Sequence, residues 1–107
     1  MSAYAVATLR DVKIGPEITE YLEKIDATLE PFGGRFLIHG GRKEIQEGAW
    51  PGTLIVIGFP DMEHARGWYA SEAYQRILGL RTGNSVGDAM LVDGVSEDHK
   101  ATDVLAR

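Results

Sequence analysis

The stretch Thr53–Asp61, TLIVIGFPD, contains the clearest strand of the chain and the point at which that strand ends. Its first part, Thr53–Phe59, is rich in β-branched residues and closes on an aromatic one, which is typical of a β-strand. Pro60 stops the strand because proline has no N–H to donate to a sheet, and Asp61 is a good N-cap. The stretch therefore predicts a strand that leads directly into a helix.

Both faces of this strand are apolar. One alternation comprises Ile55, Ile57 and Phe59, and the other begins with Leu54 and Val56. A sheet face in contact with water would carry polar residues at every second position. Helices packed on one face leave the other apolar face uncovered, and a second copy of the same sheet is the simplest cover. The sequence therefore predicts a homodimer.

The helical segment after Asp61 should contain a break. Apolar residues keep one helical face as far as Tyr69, and a different face begins at Tyr74. Ser71 lies between the two faces and is a good N-cap, with Glu72 favourably placed in the first turn that follows. We predict two short helices that meet near Ala70 and Ser71.

Upstream of Thr53, the pattern predicts a strand, a helix, a second strand and a long hairpin loop. Residues 4–10, YAVATLR, form the first strand, and Pro16 begins a helix that ends before Pro31. Gly33 and Gly34 allow a tight turn into the second strand, RFLIHGGR, and residues 43–52 form the loop. The apolar face of the helix is spaced by four, three and four residues, at Ile18, Leu22, Ile25 and Leu29.

Residues 87–95, GDAMLVDGV, predict the last strand, and residues 96–107 are a polar C-terminal tail without a clear period. The element order is β-α-β-β-α-β, which is the ferredoxin-like arrangement of the α+β class: a four-stranded antiparallel sheet with both helices on one face. We expect a single domain over residues 1–95. Two such sheets would pair into a dimeric α/β barrel.

Composition excludes several classes of partner. The chain of 107 residues has a formal net charge of -5, which argues against binding nucleic acid or an anionic membrane through phosphates. It contains no cysteine, and its aliphatic run Leu54–Ile57 is too short to cross a bilayer. The first residues lack the pattern of an export signal, so we expect a cytoplasmic protein.

Three motifs resemble those of a known family: Gly-Gly-Arg at residues 33–35, Glu-Gly-x-Trp at 47–50 and Trp-Tyr-x-Ser-x-x-Tyr at 68–74. Together with the closing MLVDGV, they make residues 4–95 similar to the DUF1330 family. That family lies in the dimeric α/β-barrel superfamily, which also holds antibiotic-biosynthesis monooxygenases and stress-responsive barrel proteins. The resemblance implies a ferredoxin-like protomer that dimerises through its sheet. Members often carry a glutamate where this chain has Gly58, which argues against a mechanism based on a carboxylate in the sheet.

Three residues are candidates for catalysis. His39 lies in the second strand beside Gly40 and Gly41, and an imidazole could act as a general base or proton shuttle. A strand-end histidine that forms a hydrogen bond at the dimer seam is the alternative. Tyr74 and Arg81 share a helical face and could orient an anionic or phenolic ligand. Equally, Arg81 could bind a carbonyl at the helix C-terminus or an acidic neighbour.

Five further residues are candidates for binding a ligand, because aromatic and cationic side chains suit a cavity for a flat organic molecule. Arg35 is of the same alternation as His39, so the two side chains should share one face of the sheet. The alternative for Trp68 and Tyr69 is packing in the core. The ligand-binding candidates are Tyr4, Arg35, Trp50, Trp68 and Tyr69.

No metal or cofactor is expected. The histidines at positions 39, 64 and 99 lie on separate elements, and no phosphate-binding glycine loop, flavin fingerprint or nicotinamide fingerprint is present. Two hypotheses follow. The protein binds a small organic molecule between sheet and helices, with cofactor-independent monooxygenase-like or isomerase-like activity as the superfamily resemblance implies. Alternatively, it is a non-catalytic module that senses a metabolite or only dimerises.

Overall fold

A computed structural model describes residues 1–106, and the last residue of the predicted tail, Arg107, lies outside this range. The chain folds into one antiparallel sheet whose strands lie in the order β2-β3-β1-β4. This is the predicted α+β, ferredoxin-like topology. The principal elements are β1 (Ala3–Arg10), α1 (Pro16–Leu29), β2 (Arg35–His39), β3 (Thr53–Phe59), α2 (Met62–Ala70), α3 (Glu72–Thr82) and β4 (Val86–Asp93). Two short 3-10 helices, Glu30–Phe32 and Ala101–Ala106, follow α1 and β4.

The two faces of the sheet differ in what covers them. On β1, Ala3 and Leu9 are buried, and Ala3 pairs with the buried Phe59 of β3. These residues face the helices and form the core. The alternate residues of β1, which include Val6, point to the other face. We call that face the open face of the sheet, because Met90, which pairs with Val6 on this face, is 58% exposed.

The buried side of α1 is rotated slightly from the predicted one. Ile18, Ile25 and Leu29 are buried as expected, but Leu22 is 45% exposed and its place is taken by Tyr21. The predicted spacing was thus wrong at one position. A stripe at 18, 21, 25 and 28 also fits the helical repeat, and the phenol of Tyr21 is buried because it has a hydrogen-bond partner.

The predicted break between α2 and α3 is confirmed at Ser71. The backbone of Ser71 is extended, with φ -63° and ψ 146°, and its Oγ accepts a hydrogen bond of 3.2 Å from the N–H of Tyr74. The predicted N-cap of α2 is also confirmed, since the Asp61 carboxylate accepts a hydrogen bond of 2.8 Å from the N–H of His64. Both caps satisfy N–H groups that a helix leaves unpaired at its start.

A β-bulge in β2 overturns one prediction. Phe36 pairs with Ile57, whereas the next paired residue is Ile38, which lies opposite Val56. The extra residue, Leu37, shifts the alternation of the strand by one. Arg35 therefore points to the open face and His39 to the helices. The expectation that these two side chains share one face is wrong, because it assumed regular alternation.

The remaining boundaries agree closely with the pattern of turns. The turn before β2 is made by Gly33 in the left-handed region, at φ +67°, where a glycine has no steric cost. Residues 96–106 form an exposed tail in which no side chain of the 3-10 helix is buried. Within residues 1–106, no helix combines the length and the apolar character needed to cross a membrane.

Candidate functional site

A cavity of about 480 Å³ lies between the sheet and the helices. Its floor is formed where β1 presents Ala5 and Ala7 and β4 presents Ala89 to the helices. Alanine side chains at the centre of a sheet leave space that larger residues would fill. The cavity therefore arises from small residues on the helix-facing alternation of β1 and β4.

Most of the cavity wall is apolar. Isoleucines from α1 and β3 face each other across it, at Ile18, Ile25, Ile55 and Ile57. Pockets for small organic molecules in proteins have this character, with a few polar groups that fix orientation. The polar side chains in its lining come from α1, α2, α3, β2 and β3.

Tyr21, Tyr74 and Arg81 form a cluster at one end of the cavity, which we call the phenol-guanidinium cluster. The hydroxyl oxygens of Tyr21 and Tyr74 are 2.8 Å apart and share a hydrogen bond. An Nη2 of Arg81 donates to the Tyr74 hydroxyl at 3.5 Å, and the guanidinium lies 5.9 Å from the centre of the Tyr21 ring. Tyr74 is the most deeply buried large side chain, at 2% exposure.

Electrostatics keep Tyr21 and Arg81 in defined protonation states. Burial raises the pKa of the Tyr21 phenol, and the adjacent Tyr74 raises it further. Burial lowers the pKa of the Arg81 guanidinium, but the two phenols raise it by more, so its pKa lies above its ordinary value. Tyr21 is therefore neutral and Arg81 cationic at physiological pH.

Arg81 has no acidic partner among the residues that the structure describes, 1–106. The ion pairs found among residues 1–106 involve Lys24, Arg42, His64, Arg76 and His99 instead. The backbone carbonyl oxygen of Arg81 accepts a hydrogen bond of 2.7 Å from the Ser85 hydroxyl. The alternative in which Arg81 pairs with an acidic neighbour is thus not what the described part of the chain shows.

His39 lines the cavity from β2, where its ring stacks on Phe36 with centroids 4.3 Å apart and an interplanar angle of 10°. The imidazole is exposed, so it lies at the mouth of the cavity and not beside the core. The stack on Phe36 fixes the plane of the ring. His39 can thus reach both solvent and a bound molecule, as a proton shuttle requires.

Trp68 and Tyr69 both line the cavity, but they do so differently. Trp68 is buried, its Nε1 donates to the Thr28 Oγ1 at 3.0 Å, and its ring lies 4.1 Å from that of Tyr74. Tyr69 is 37% exposed. The Trp68 ring is therefore both core and cavity wall, and its one donor is already used, so it offers a bound molecule only an apolar surface.

The structure does not bring Tyr4, Arg35 or Trp50 to the cavity. Tyr4 pairs with Gly58 of β3 and therefore points to the open face. Arg35 also pairs with Gly58, from the other side, and points to the same face. Trp50 lies in the β2–β3 loop and is 47% exposed. A single cavity lined by all eight candidates is thus not observed, because the alternation of β1 and the bulge in β2 separate them.

That loop has a fixed end. The ammonium of Lys43 donates to the carbonyl oxygen of Trp50 at 3.1 Å and also to that of Gly52.

Gly58 of β3 lies away from the cavity, because a side chain there would meet Leu37 on the open face. A carboxylate at position 58 would therefore not face the phenol-guanidinium cluster.

Two residues of the site were not among the candidates, namely Tyr21 and Phe36. Tyr21 follows Ile18 by three residues and precedes Ile25 by four, so the helical repeat could have identified it. Phe36 could not have been identified by alternation, since residues 36 and 39 lie on opposite faces of a regular strand. The bulge in β2 turns both side chains toward the helices. Within residues 1–106, no group of three or more metal-binding side chains could hold an ion.

Solved structures with this fold are distant in sequence. A protein of unknown function from Rhodopseudomonas palustris has a TM-score of 0.64 and 13% identity, over 89% of this chain and 83% of that one. SnoaB, a cofactor-independent oxygenase from Streptomyces nogalater, has a TM-score of 0.58 and 15% identity, over 92% and 98%. A dimeric ferredoxin-like protein of unknown function from Jannaschia has a TM-score of 0.58 and 12% identity, over 88% and 100%. These likenesses show the fold.

A comparison with curated proteins finds no match to the chain. The family comparison is more informative, because the sequence model of one family, DUF1330, a domain of unknown function, matches residues 2–95. This match covers most of the chain and includes every strand and α-helix of the fold. The protein therefore belongs to the DUF1330 family.

Proposed function

We propose that the protein binds a small organic molecule in the cavity between its sheet and its helices. The observation that carries this proposal is a cavity of about 480 Å³ with apolar walls and the phenol-guanidinium cluster at one end. A structural domain would fill such a space with its own side chains, because protein interiors are close-packed. An apolar wall with a few convergent polar groups is typical of a ligand site.

The test is thermal stability in the presence of a library of small organic molecules. A ligand at 100 times its Kd stabilises the folded state by about 2.7 kcal/mol. We expect hits that raise the Tm of the wild type and of Ala73→Leu, an exposed position on α3. They should fail to raise the Tm of Ala7→Leu, in which the larger side chain fills the cavity. A library without any hit would contradict the proposal.

We also propose that the protein is a homodimer paired through the open face of the sheet. This face carries apolar side chains in water, including Leu37 at 42% exposure and Met90 at 58%. The protein from Jannaschia that shares this fold is a dimeric one. Pairing of two such faces would remove the exposed apolar surface from solvent.

The second candidate function is catalysis: cofactor-independent oxygenation or isomerisation of the bound molecule. Its support is His39 at the mouth of the cavity and the likeness in fold to SnoaB, a cofactor-independent oxygenase. In this mechanism His39 removes a proton from the substrate, and Tyr74 or Arg81 stabilises the oxyanion that develops. The organic substrate itself would supply the electrons that reduce oxygen.

Hits from the thermal screen separate this candidate from a non-catalytic one. Each hit is incubated with wild type and with His39→Gln, and we follow oxygen uptake, product formation and exchange of substrate protons in deuterated water. Turnover by wild type that falls about 100-fold or more in His39→Gln supports catalysis. Hits that bind and remain unchanged in both proteins would assign the cavity to sensing or sequestering a metabolite.

A further inference from the structure

The phenol-guanidinium cluster presents hydrogen-bond donors to the cavity. The hydroxyl groups of Tyr21 and Tyr74 hold two hydrogens, and one of these is used in the bond between them. In either direction of that bond, one hydroxyl hydrogen stays free. Arg81 adds N–H groups and has no lone pair to accept with. A bound molecule must therefore offer an acceptor at this end.

Within residues 1–106, no acidic side chain balances the charge of the cluster. Arg81 is partly buried, and none of the ion pairs among residues 1–106 includes it. The phenol oxygen of Tyr74 and the ring of Tyr21 stabilise the guanidinium without neutralising it. A cation in a largely apolar cavity is costly unless it is paired. The missing partner is a single negative charge.

We propose that the natural ligand is an organic monoanion with its charge on oxygen, and that Arg81, Tyr74 and Tyr21 bind this oxygen. The inference rests on the proposed function, because it assumes that the cavity is a ligand site. The body of the ligand is apolar, since the walls beyond the cluster are formed by isoleucine, alanine and the ring face of Trp68. Charge-assisted hydrogen bonds from the guanidinium and one phenol hold its charged end.

The number of charges follows from the same geometry. One guanidinium neutralises one negative charge, and the described residues that line the cavity include no lysine and no second arginine. A dianion would leave an unpaired negative charge against apolar walls, and a neutral molecule would leave Arg81 unpaired. Aromatic or alicyclic monocarboxylates, and enolates of similar size, fit this description.

The experiment compares carboxylates with their uncharged amides. The probes are benzoate with benzamide and 2-naphthoate with 2-naphthamide, measured by titration calorimetry at pH 7. The Trp50→Phe variant, in which Trp68 is the remaining tryptophan, gives a second readout by fluorescence. We expect at least one carboxylate to bind ten-fold or more tightly than its amide. Tyr21→Phe and Tyr74→Phe should each weaken the carboxylate several-fold and leave the amide nearly unchanged.

Arg81→Met should abolish the preference for the carboxylate, whereas Arg76→Met should preserve it. Arg76 is a matched control because it lies on the same helix, is exposed and pairs with Glu72 away from the cavity. Circular dichroism verifies folding, and Arg81→Lys, which keeps the charge, should retain part of the preference. If Arg81→Met does not fold, the several-fold reduction of the preference in Tyr21→Phe and Tyr74→Phe decides.

Three results would overturn the inference, and they differ in what else they reject. Equal binding of carboxylate and amide by the wild type rejects the anionic ligand and leaves the cavity as a site for a neutral molecule. Absence of binding by every probe, together with a thermal screen without hits, rejects the ligand site as well. A carboxylate preference that survives in Arg81→Met would place the anion elsewhere and also overturn the inference.

Discussion

At the scale of single residues, polar groups in the core are paired, and these pairs can be tested. Trp68 is buried among aromatic rings, and its Nε1 donates to the Thr28 Oγ1 at 3.0 Å, while that hydroxyl donates to the Ile25 carbonyl at 2.6 Å. Thr28→Val keeps the shape and removes the acceptor. We expect it to lower the free energy of unfolding by about 1–3 kcal/mol, because the indole N–H is left buried and unpaired.

Urea denaturation measures this loss, and Thr19→Val is the control because residue 19 is exposed on the same helix. The control should change stability by no more than about 0.5 kcal/mol. Equal stability of the two variants would show that the Thr28 hydroxyl contributes nothing to the pairing of Trp68.

The Asp61 cap gives a prediction about pH. Its carboxyl pKa is lowered first by the hydrogen bond from the backbone N–H of His64 and then by the bond to the His64 ring. A carboxyl with a lowered folded pKa adds stability above the ordinary aspartate pKa of about 3.9. This stability is lost as the pH falls through the folded value. The Tm of Asp61→Asn should therefore lie below that of the wild type at pH 5, and this difference should disappear as the pH falls to 2.

Thermal unfolding across this range measures the difference in Tm between the two proteins. His64→Gln is the companion variant, since it keeps the backbone N–H that contributes most to the lowered pKa. It should preserve most of the pH dependence. A difference between wild type and Asp61→Asn that does not vary with pH would contradict the assigned role of the carboxylate.

At the scale of elements, α2 and α3 depend on Ser71. Its Oγ accepts from the N–H of Tyr74, so the cap also fixes the start of α3, the helix that carries Tyr74 and Arg81 of the phenol-guanidinium cluster. Ser71→Ala should lower the free energy of unfolding by about 1 kcal/mol. Ser71→Thr should restore most of it, because threonine is also a good N-cap and keeps the hydroxyl that donates to the Trp68 carbonyl oxygen at 2.7 Å. Ser96→Ala, in the exposed tail, is the control. A loss in Ser71→Thr as large as in Ser71→Ala would reject the capping role.

The elements themselves were predictable because their signals are local. The cap at Ser71, the strand Thr53–Phe59 and the turn at Gly33 each depend on a few adjacent residues. The bulge in β2 was not predictable, since it depends on pairing with β3, and pairing is a long-range property. For the same reason, the sequence predicts only part of the site. Tyr74 and Arg81 could be placed on one helix face, but the contact between Tyr74 and Tyr21 could not be predicted, because the two residues are distant in sequence.

At the scale of the whole molecule, the proposed homodimer depends on the open face of the sheet. Paired residues form an apolar row across all four strands: Ile38 lies opposite Val56, Val56 opposite Val6, and Val6 opposite Met90. Met90 is 58% exposed and Ile38 is 40% exposed. A continuous apolar row on an exposed sheet is unusual for a monomer, and it has no cover within residues 1–106.

Val6→Asp places a carboxylate at the centre of this row, where a partner sheet would bury it without a counter-charge. We expect sedimentation velocity at micromolar concentration to show a dimer for wild type and for Ala73→Asp, an exposed helix position, and a monomer for Val6→Asp. The Tm of wild type should rise with protein concentration, whereas that of Val6→Asp should not, because only an associating protein is stabilised by mass action. A wild type that sediments as a monomer, or a Val6→Asp variant that remains a dimer, would show that the open face is not the interface.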